Sequence, residues 1–346
     1  MVYNKSALLE QGFYQILEGK LVDRAPVIPQ VLEHAIRIAG MKVSEVFRSP
    51  EKVSRAQLRA LDRYGYDAVW GGCIDMYTLL AAAFGCEVSI PDDDVPDIKG
   101  PIAGNLEEAE KLDIPDPKRD ARLPMSLEIV HILSKELGND IPVLTGLAGP
   151  FSVAANLRGI TSLMGDLVSN PDLVKNLCQK TTEACKVYGK ALLESGAAAI
   201  FLVDALAGPA IIGPSMFRKF VFPCHQNLVE TLLQEGALII YHVDVGIHLV
   251  LDDVSRLSVH ALMPEDTEDI ENLRKLVGKE TTLVGVVGPT ALRSESPENL
   301  VSMSKTIIKK GRSKKGKLIF FTGMVPLDTP PENLEAVVRA AKNILF

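Results

Sequence analysis

Eight short apolar, β-branched runs recur along this chain, mostly separated by segments with helical periodicity, and that alternation constrains the fold more than any other feature. The runs are PVIPQ (26–30), YDAVWG (66–71), IPVLTG (141–146), AIFLVD (199–204), LIIYHV (238–243), VHALM (259–263), TLVGVVG (282–288) and KLIFFTG (317–323). Helical segments are expected at 51–64, 124–138, 169–196, 215–235, 268–278, 296–310 and 331–345. Parallel strands need long crossovers and helices supply them, so the pattern implies an α/β fold, a (β/α)8 TIM barrel. An open doubly wound sheet is the alternative, but no GxGxxG turn supports it.

Ser215, Thr267 and the SPEN run at 296–299 read as helix starts. A helix at roughly 4–19 is expected as an N-terminal helical extension covering the closed end of the barrel. Residues 87–123, rich in proline and aspartate, read as a surface excursion between strands two and three. The whole chain, 1–346, is expected to be one barrel domain.

An apolar content of 47% is ample for a large core, and the net charge of −7 argues against a nucleic-acid footprint. The basic run IKKGRSKKGK (308–317) reads as a solvated helix end and loop. Five scattered cysteines without a CxxC pair, and the absence of a secretory signal, point to a reducing cytoplasm. No apolar stretch reaches the roughly eighteen residues that span a bilayer.

Barrel chemistry sits at the C-terminal ends of the strands. Glu33, His34, Asp75, Gly149, Pro150, Asp204, His242, Asp244, Glu265, Gly288 and Thr322 fall there. His242 and Asp244 stand out, because residues two apart in an extended segment share a face and could hold one cation together. A catalytic zinc site needs three protein ligands and an open position, and the third comes from Glu265 or Asp204 on the neighbouring strands. Cys224 and His225 point about 100° apart on a helix and read as packing and surface residues. His131, His248 and His260 have no assigned role, and Cys73 and Cys86 read as small apolar fillers. Asp75 is read either as a carboxylate at a helix N-terminus or as a substrate contact.

Taken in order, GKLVDRAPVIP (19–29), YGYDAVWGGCIDMYTLLAAAFGCEV (64–88), GLAGPFSVAANLRG (146–159), DALAGPAIIGPSMFRKFVFP (204–223), the histidine-bearing strand and PLDTPPENLEAVVRAAKNI (326–344) resemble the uroporphyrinogen decarboxylase superfamily. The resemblance covers about residues 5–346 and implies the same barrel. It also implies one of two chemistries: cofactor-free decarboxylation of porphyrinogens, or zinc-dependent methyl transfer to or from corrinoid proteins.

The decarboxylase branch uses an arginine-rich segment after strand one; here PQVLEHAIRIAG carries only Arg37. Asp75 matches that branch's catalytic aspartate, whereas Thr322 stands where it has a histidine. The methyltransferase branch, typified by methylcobamide:coenzyme M methyltransferases, holds zinc on a His-x-Cys motif and a further cysteine. His242 matches the histidine, while Asp244 and Thr322 replace the two cysteines.

The function expected is therefore zinc-dependent methyl transfer between a small, methoxylated substrate and a corrinoid carried on a separate protein. His242, Asp244 and Glu265 are the expected metal ligands, with Asp75 and His242 as catalytic groups. Asp204, Tyr241, Phe151 and Met324 are expected to line the substrate pocket, with Phe201 beside them. A cytoplasmic homodimer fits the resemblance. The competing expectations are a decarboxylase of a porphyrinogen or smaller acid, and a non-catalytic ligand-binding barrel.

Overall fold

The computed structural model describes residues 12–91 and 96–346. Its main sheet contains β1 (Val27–Gln30), β2 (Val69–Gly71), β3 (Val143–Ala148), β4 (Ala199–Asp204), β5 (Ile239–Val243), β6 (Ala261–Met263), β7 (Thr282–Val287) and β8 (Leu318–Met324). All neighbours are parallel, in the order β1-β8-β7-β6-β5-β4-β3-β2. The remaining seam, between β1 and β2, is joined by Asp67 N–H donating to Val27 O at 2.9 Å and by the Trp70 indole N–H donating to Pro29 O at 2.8 Å. Asp67 strengthens it by accepting from Val27 N at 2.7 Å and pairing with Arg24 at 2.6 Å. The expected (β/α)8 barrel is the observed architecture.

Alternation along the strands sorts side chains into two cores. Ile28, Trp70, Leu144, Phe201, Val203, Ile240, Met263, Val284, Ile319 and Phe321 fill the barrel. Val27, Val69, Val143, Ile200, Leu202, Ile239, Tyr241, Val243, Leu283 and Phe320 face the helical layer. Burying one such large apolar side chain is worth about 1.5–3 kcal/mol, so the pattern fixes strand register strongly. The helix α1 (Gly12–Leu17) plugs the N-terminal end with Phe13, Ile16 and Leu17. The earlier half of the expected 4–19 helix lies outside the described residues.

Other helices used below are α2 (Met76–Ala83), α3 (Leu123–Leu137), α4 (Pro150–Arg158), α5 (Pro171–Glu194) and α6 (Phe222–Gln234). The expected 215–235 helix is interrupted: a short turn, Pro214–Met216, leads through a π-helical turn, Phe217–Val221, into α6. Pro223 explains this, because its ring crowds the carbonyl four residues back and it offers no N–H; a wider turn accommodates both effects.

Two expected caps are displaced. Gly213, not Ser215, precedes the Pro214 turn. Asp269, not Thr267, caps Ile270–Val277 by accepting from Glu271 N and Asn272 N. Ser296 behaves as expected, accepting from Asn299 N at 3.2 Å. The 87–123 excursion contains a small hairpin, Val88–Ser89 with Asp97–Ile98, and a helix, Leu106–Glu110. No described helix is long and apolar enough to cross a membrane.

Candidate functional site

At the C-terminal mouth, β5 presents His242 to the barrel interior, and the chain just beyond presents Asp244 beside it. His242 Nε2 lies 3.2 Å from Asp244 Oδ1 and 3.6 Å from Glu265 Oε2, the latter just beyond β6. One ligand atom from each of the three lies within 4.8 Å of the others. Gly246, at φ 101°, turns the chain after Asp244, and a Cβ there would sit 2.6 Å from Ala210 N. That tight turn brings Ala210 N–H to Val245 O at 3.0 Å and holds the end of β5 in place.

The imidazole is oriented from behind. Its Nδ1 is 2.9 Å from Met263 O, a pure acceptor, so Nδ1 carries the hydrogen and Nε2 faces the carboxylates. A lone-pair nitrogen against two carboxylates needs a positive species between them, either a proton or a metal ion. Burial opposes protonation of His242, yet the hydrogen bond it donates to Asp244, the Met263 carbonyl and the charges of Asp244 and Glu265 raise its pKa above the ordinary value. Burial also raises the Glu265 carboxyl; His242 pulls it down, and Asp244 and Asp266 push it up.

These residues fit a small divalent ion. Tetrahedral zinc with bonds of about 2.0–2.2 Å places its ligand atoms about 3.4 Å apart, close to the observed separations. The donor set is one nitrogen and two oxygens, so the ion it suits is harder than one held by thiolates.

Beneath the cluster, Phe201 stacks on His242 with centroids 5.8 Å apart and planes at 22°. Trp70 meets Phe201 and Phe321 edge-on at 5.6 and 5.9 Å. From the first turn of α2, Tyr77 stands near Gln30; burial raises its pKa, Gln30 lowers it, and the charges of Asp244, Glu33 and Glu265 raise it further. Nothing in the sequence patterns singles out Tyr77 or Gln30. The available signal was their position at strand ends, Gln30 closing β1 and Tyr77 opening the helix after β2.

Several expected pocket residues sit elsewhere. Tyr241 is fully buried on the outer face of β5, where its hydroxyl lies 2.7 Å from His225 Nδ1. Asp204 also faces outward. It accepts from Phe151 N at 2.9 Å, Ser152 N at 2.7 Å and Ser152 Oγ at 2.5 Å, and lies 2.8 Å from His225 Nε2. It is thus the anion at the N-terminus of α4, and Gly149 is required there because a Cβ would lie 2.3 Å from the Asp204 side chain. Phe151 packs in the same outer layer. These three build the wall behind the site rather than its lining.

Met324 remains at the mouth, half-buried and in register with Gln30. Asp75 precedes α2 without capping it; its fully buried carboxylate pairs with Arg122, whose guanidinium lies 3.4 Å from the Phe47 ring centre. Thr322 accepts from Gln30 N at 3.1 Å, so its hydroxyl joins β8 to β1. His225 is a buried linker between Asp204 and Tyr241 rather than a surface residue.

A parallel eight-stranded barrel with an imidazole and two carboxylates converging at its mouth defines a TIM-barrel protein with a metal-capable site. The chain belongs to the uroporphyrinogen decarboxylase (URO-D) family, which it matches over residues 9–344. It is 26% identical to the methylcobamide:CoM methyltransferase MtaA of Methanosarcina barkeri, over 94% of each chain. It is 25% identical to a uroporphyrinogen decarboxylase of Trichlorobacter lovleyi, over 95% of this chain and 97% of that one. A solved methyltransferase from Methanosarcina mazei shares the fold, with a TM-score of 0.85 at 24% identity over 98% of both chains.

Proposed function

We propose that this chain is a corrinoid-dependent methyltransferase that takes a methyl group from a small methoxylated compound and passes it to a corrinoid held on a separate protein. The observation that carries this reading is the His242–Asp244–Glu265 cluster, whose separations of 3.2 and 3.6 Å suit one zinc ion. The named activity of MtaA, methylcobamide:CoM methyl transfer, supports the same class of chemistry.

When bound, zinc on one nitrogen and two oxygens supplies a Lewis acid strong enough to polarise an ether oxygen, opening its methyl carbon to a cobalt(I) nucleophile. The chain's own residues do the rest. Met263 O holds the His242 tautomer, and Phe201 holds the plane of the ring. Tyr77 lies close enough to the cluster for the Asp244 and Glu265 charges to act on it, and its hydroxyl offers a polar group by which a small oxygenated substrate can be oriented.

The decarboxylase reading finds less support, since Asp75 is paired with Arg122. The test is methyl transfer from methoxylated aromatics to a cobalt(I) corrinoid protein, followed by loss of the cobalt(I) absorbance, with zinc content measured in parallel. Zinc binding without turnover on any methyl donor would leave a ligand-binding barrel; carbon dioxide release from a porphyrinogen without added metal would favour the decarboxylase.

A further inference from the structure

Between α5, α6 and the π-helical turn lies a cavity of about 590 Å3 that shares no residue with the mouth cluster. Lys175, Lys180 and Lys219 line it against a single acidic side chain, Glu183, so its walls are net positive. Cys178 on α5 and Cys224 on α6 both line it, and each side chain lies close enough to the other to shift its titration. Cys178 is buried, whereas Cys224 is partly exposed. The lysines are held in different ways: Lys180 donates to Glu110 O and Leu112 O at 2.8 and 2.7 Å, Lys175 lies 3.6 Å from Asp172, and Lys219 lies over Phe220 at 4.8 Å.

We propose that this cavity is a thiol-exchange site for small anionic disulfides, with Cys224 as the attacking thiol and Cys178 as the resolving one. The positive walls draw the anion in, and the placing of both cysteines in one cavity between the packed helices α5 and α6 allows the second step without long-range movement of the helices.

In the first step the Cys224 thiolate attacks one sulfur of the incoming disulfide. A Cys224 mixed disulfide forms and one small thiolate leaves. The Cys178 thiol then gives up its proton and attacks the Cys224 sulfur, expelling the second small thiolate and closing a Cys178–Cys224 disulfide. The protein dithiol is oxidised by two electrons, and the small disulfide is reduced to two thiols.

The order of attack follows from the surroundings. The hydrogen bond from Cys178 lowers the Cys224 thiol to about 7 against the opposing effect of burial, with Thr182 and His225 adding to the lowering. Cys178 is held well above its ordinary value, first by its hydrogen bond to Cys224 and then by burial. Burial raises Cys73 and Cys86 to about 11, so neither competes as a thiolate.

The test uses the full chain with glutathione disulfide as the anionic probe and 2-hydroxyethyl disulfide as the neutral one, quenched in acid and mapped by peptide mass spectrometry. The wild type is expected to acquire a Cys178–Cys224 link, Cys178→Ala or Cys178→Ser to stop at a mixed disulfide on Cys224, and Cys224→Ala to show neither. Replacing Lys175 and Lys219 by glutamine is expected to slow exchange with glutathione disulfide by at least about fivefold while leaving the neutral probe nearly unchanged. A wild-type chain in which Cys224 reacts no faster than Cys73 or Cys86, or in which no link forms, overturns the proposal. Equal slowing with both probes overturns the assignment to an anionic ligand.

Discussion

The imidazole of His242 lies nearly parallel to the ring of Phe201, with centroids 5.8 Å apart and planes at 22°. The stack fixes the plane in which Nε2 can point, and Phe201 is itself held by Trp70 and Phe321. Truncating it as Phe201→Ala is expected to cost about 3–5 kcal/mol in urea unfolding, with Phe201→Leu recovering most of that loss. Both variants should also bind zinc more weakly than wild type; unchanged affinity would show that the Met263 hydrogen bond alone orients His242.

Purified wild-type protein is expected to take up one zinc per chain, measured by elemental analysis after dialysis. His242→Ala should lose it, and Glu265→Gln should weaken it by more than about tenfold, because a neutral amide replaces an anionic ligand. Asp244→Cys should bind zinc at least as tightly yet transfer methyl groups from methoxylated donors more slowly, since thiolate makes the ion a poorer Lewis acid. Equal rates for Asp244 and its cysteine variant would argue that ligand hardness does not set the reaction.

Asp204 tests the distinction between wall and lining. Asp204→Ala strands the Phe151 and Ser152 amides and His225 in a buried setting, so a loss of about 3–5 kcal/mol in stability is expected. The folded fraction should retain the KM of the wild type, because the carboxylate faces the helical layer. A raised KM in correctly folded protein would return Asp204 to the pocket.

His34 gives the fold a pH dependence. Burial holds its pKa down to about 4 against an ordinary value of 6.5, with the Arg37 charge adding to the effect, and its Nε2 lies 2.8 Å from the Tyr64 hydroxyl. Below pH 6.5 the unfolded chain binds a proton that the folded chain refuses until about pH 4. Its contribution to stability is therefore whole above the upper value and is lost as pH falls toward the lower one, by up to about 3 kcal/mol. Urea midpoints at several pH values, compared with those of His34→Gln, should show a shallower acid limb in the variant; identical slopes would remove His34 as a cause.

The barrel was readable in the sequence because each strand run is short, β-branched and followed by enough chain for a crossover, as AIFLVD and LIIYHV illustrate. His242 and Asp244 were readable for the same reason, since two-residue spacing fixes their shared face. That periodicity also places Tyr241 on the opposite face from His242, and Asp204 opposite Phe201. Strand-end position alone therefore overcounted the lining.

The partners of Asp75 and His225 could not be read this way. Arg122 comes from the excursion before α3, and Asp204 lies twenty-one residues before His225, so chain folding rather than local pattern brings each pair together. Tyr77 is hidden similarly, sitting in a run of apolar helix formers that looks like simple core.

The seam between β1 and β2 bears on how the molecule is made. β1 finds its full ladder only on β8, through pairs such as Val27 with Phe320, so the first strand to leave the ribosome has to wait for the last. Until residues near 320 emerge, Val27 and Ile28 have β2 beside them only through the Asp67 and Trp70 hydrogen bonds. A ribosome stalled before β8 should therefore display a nascent chain in which the β1 segment is still open to protease while β3 to β5 are already protected.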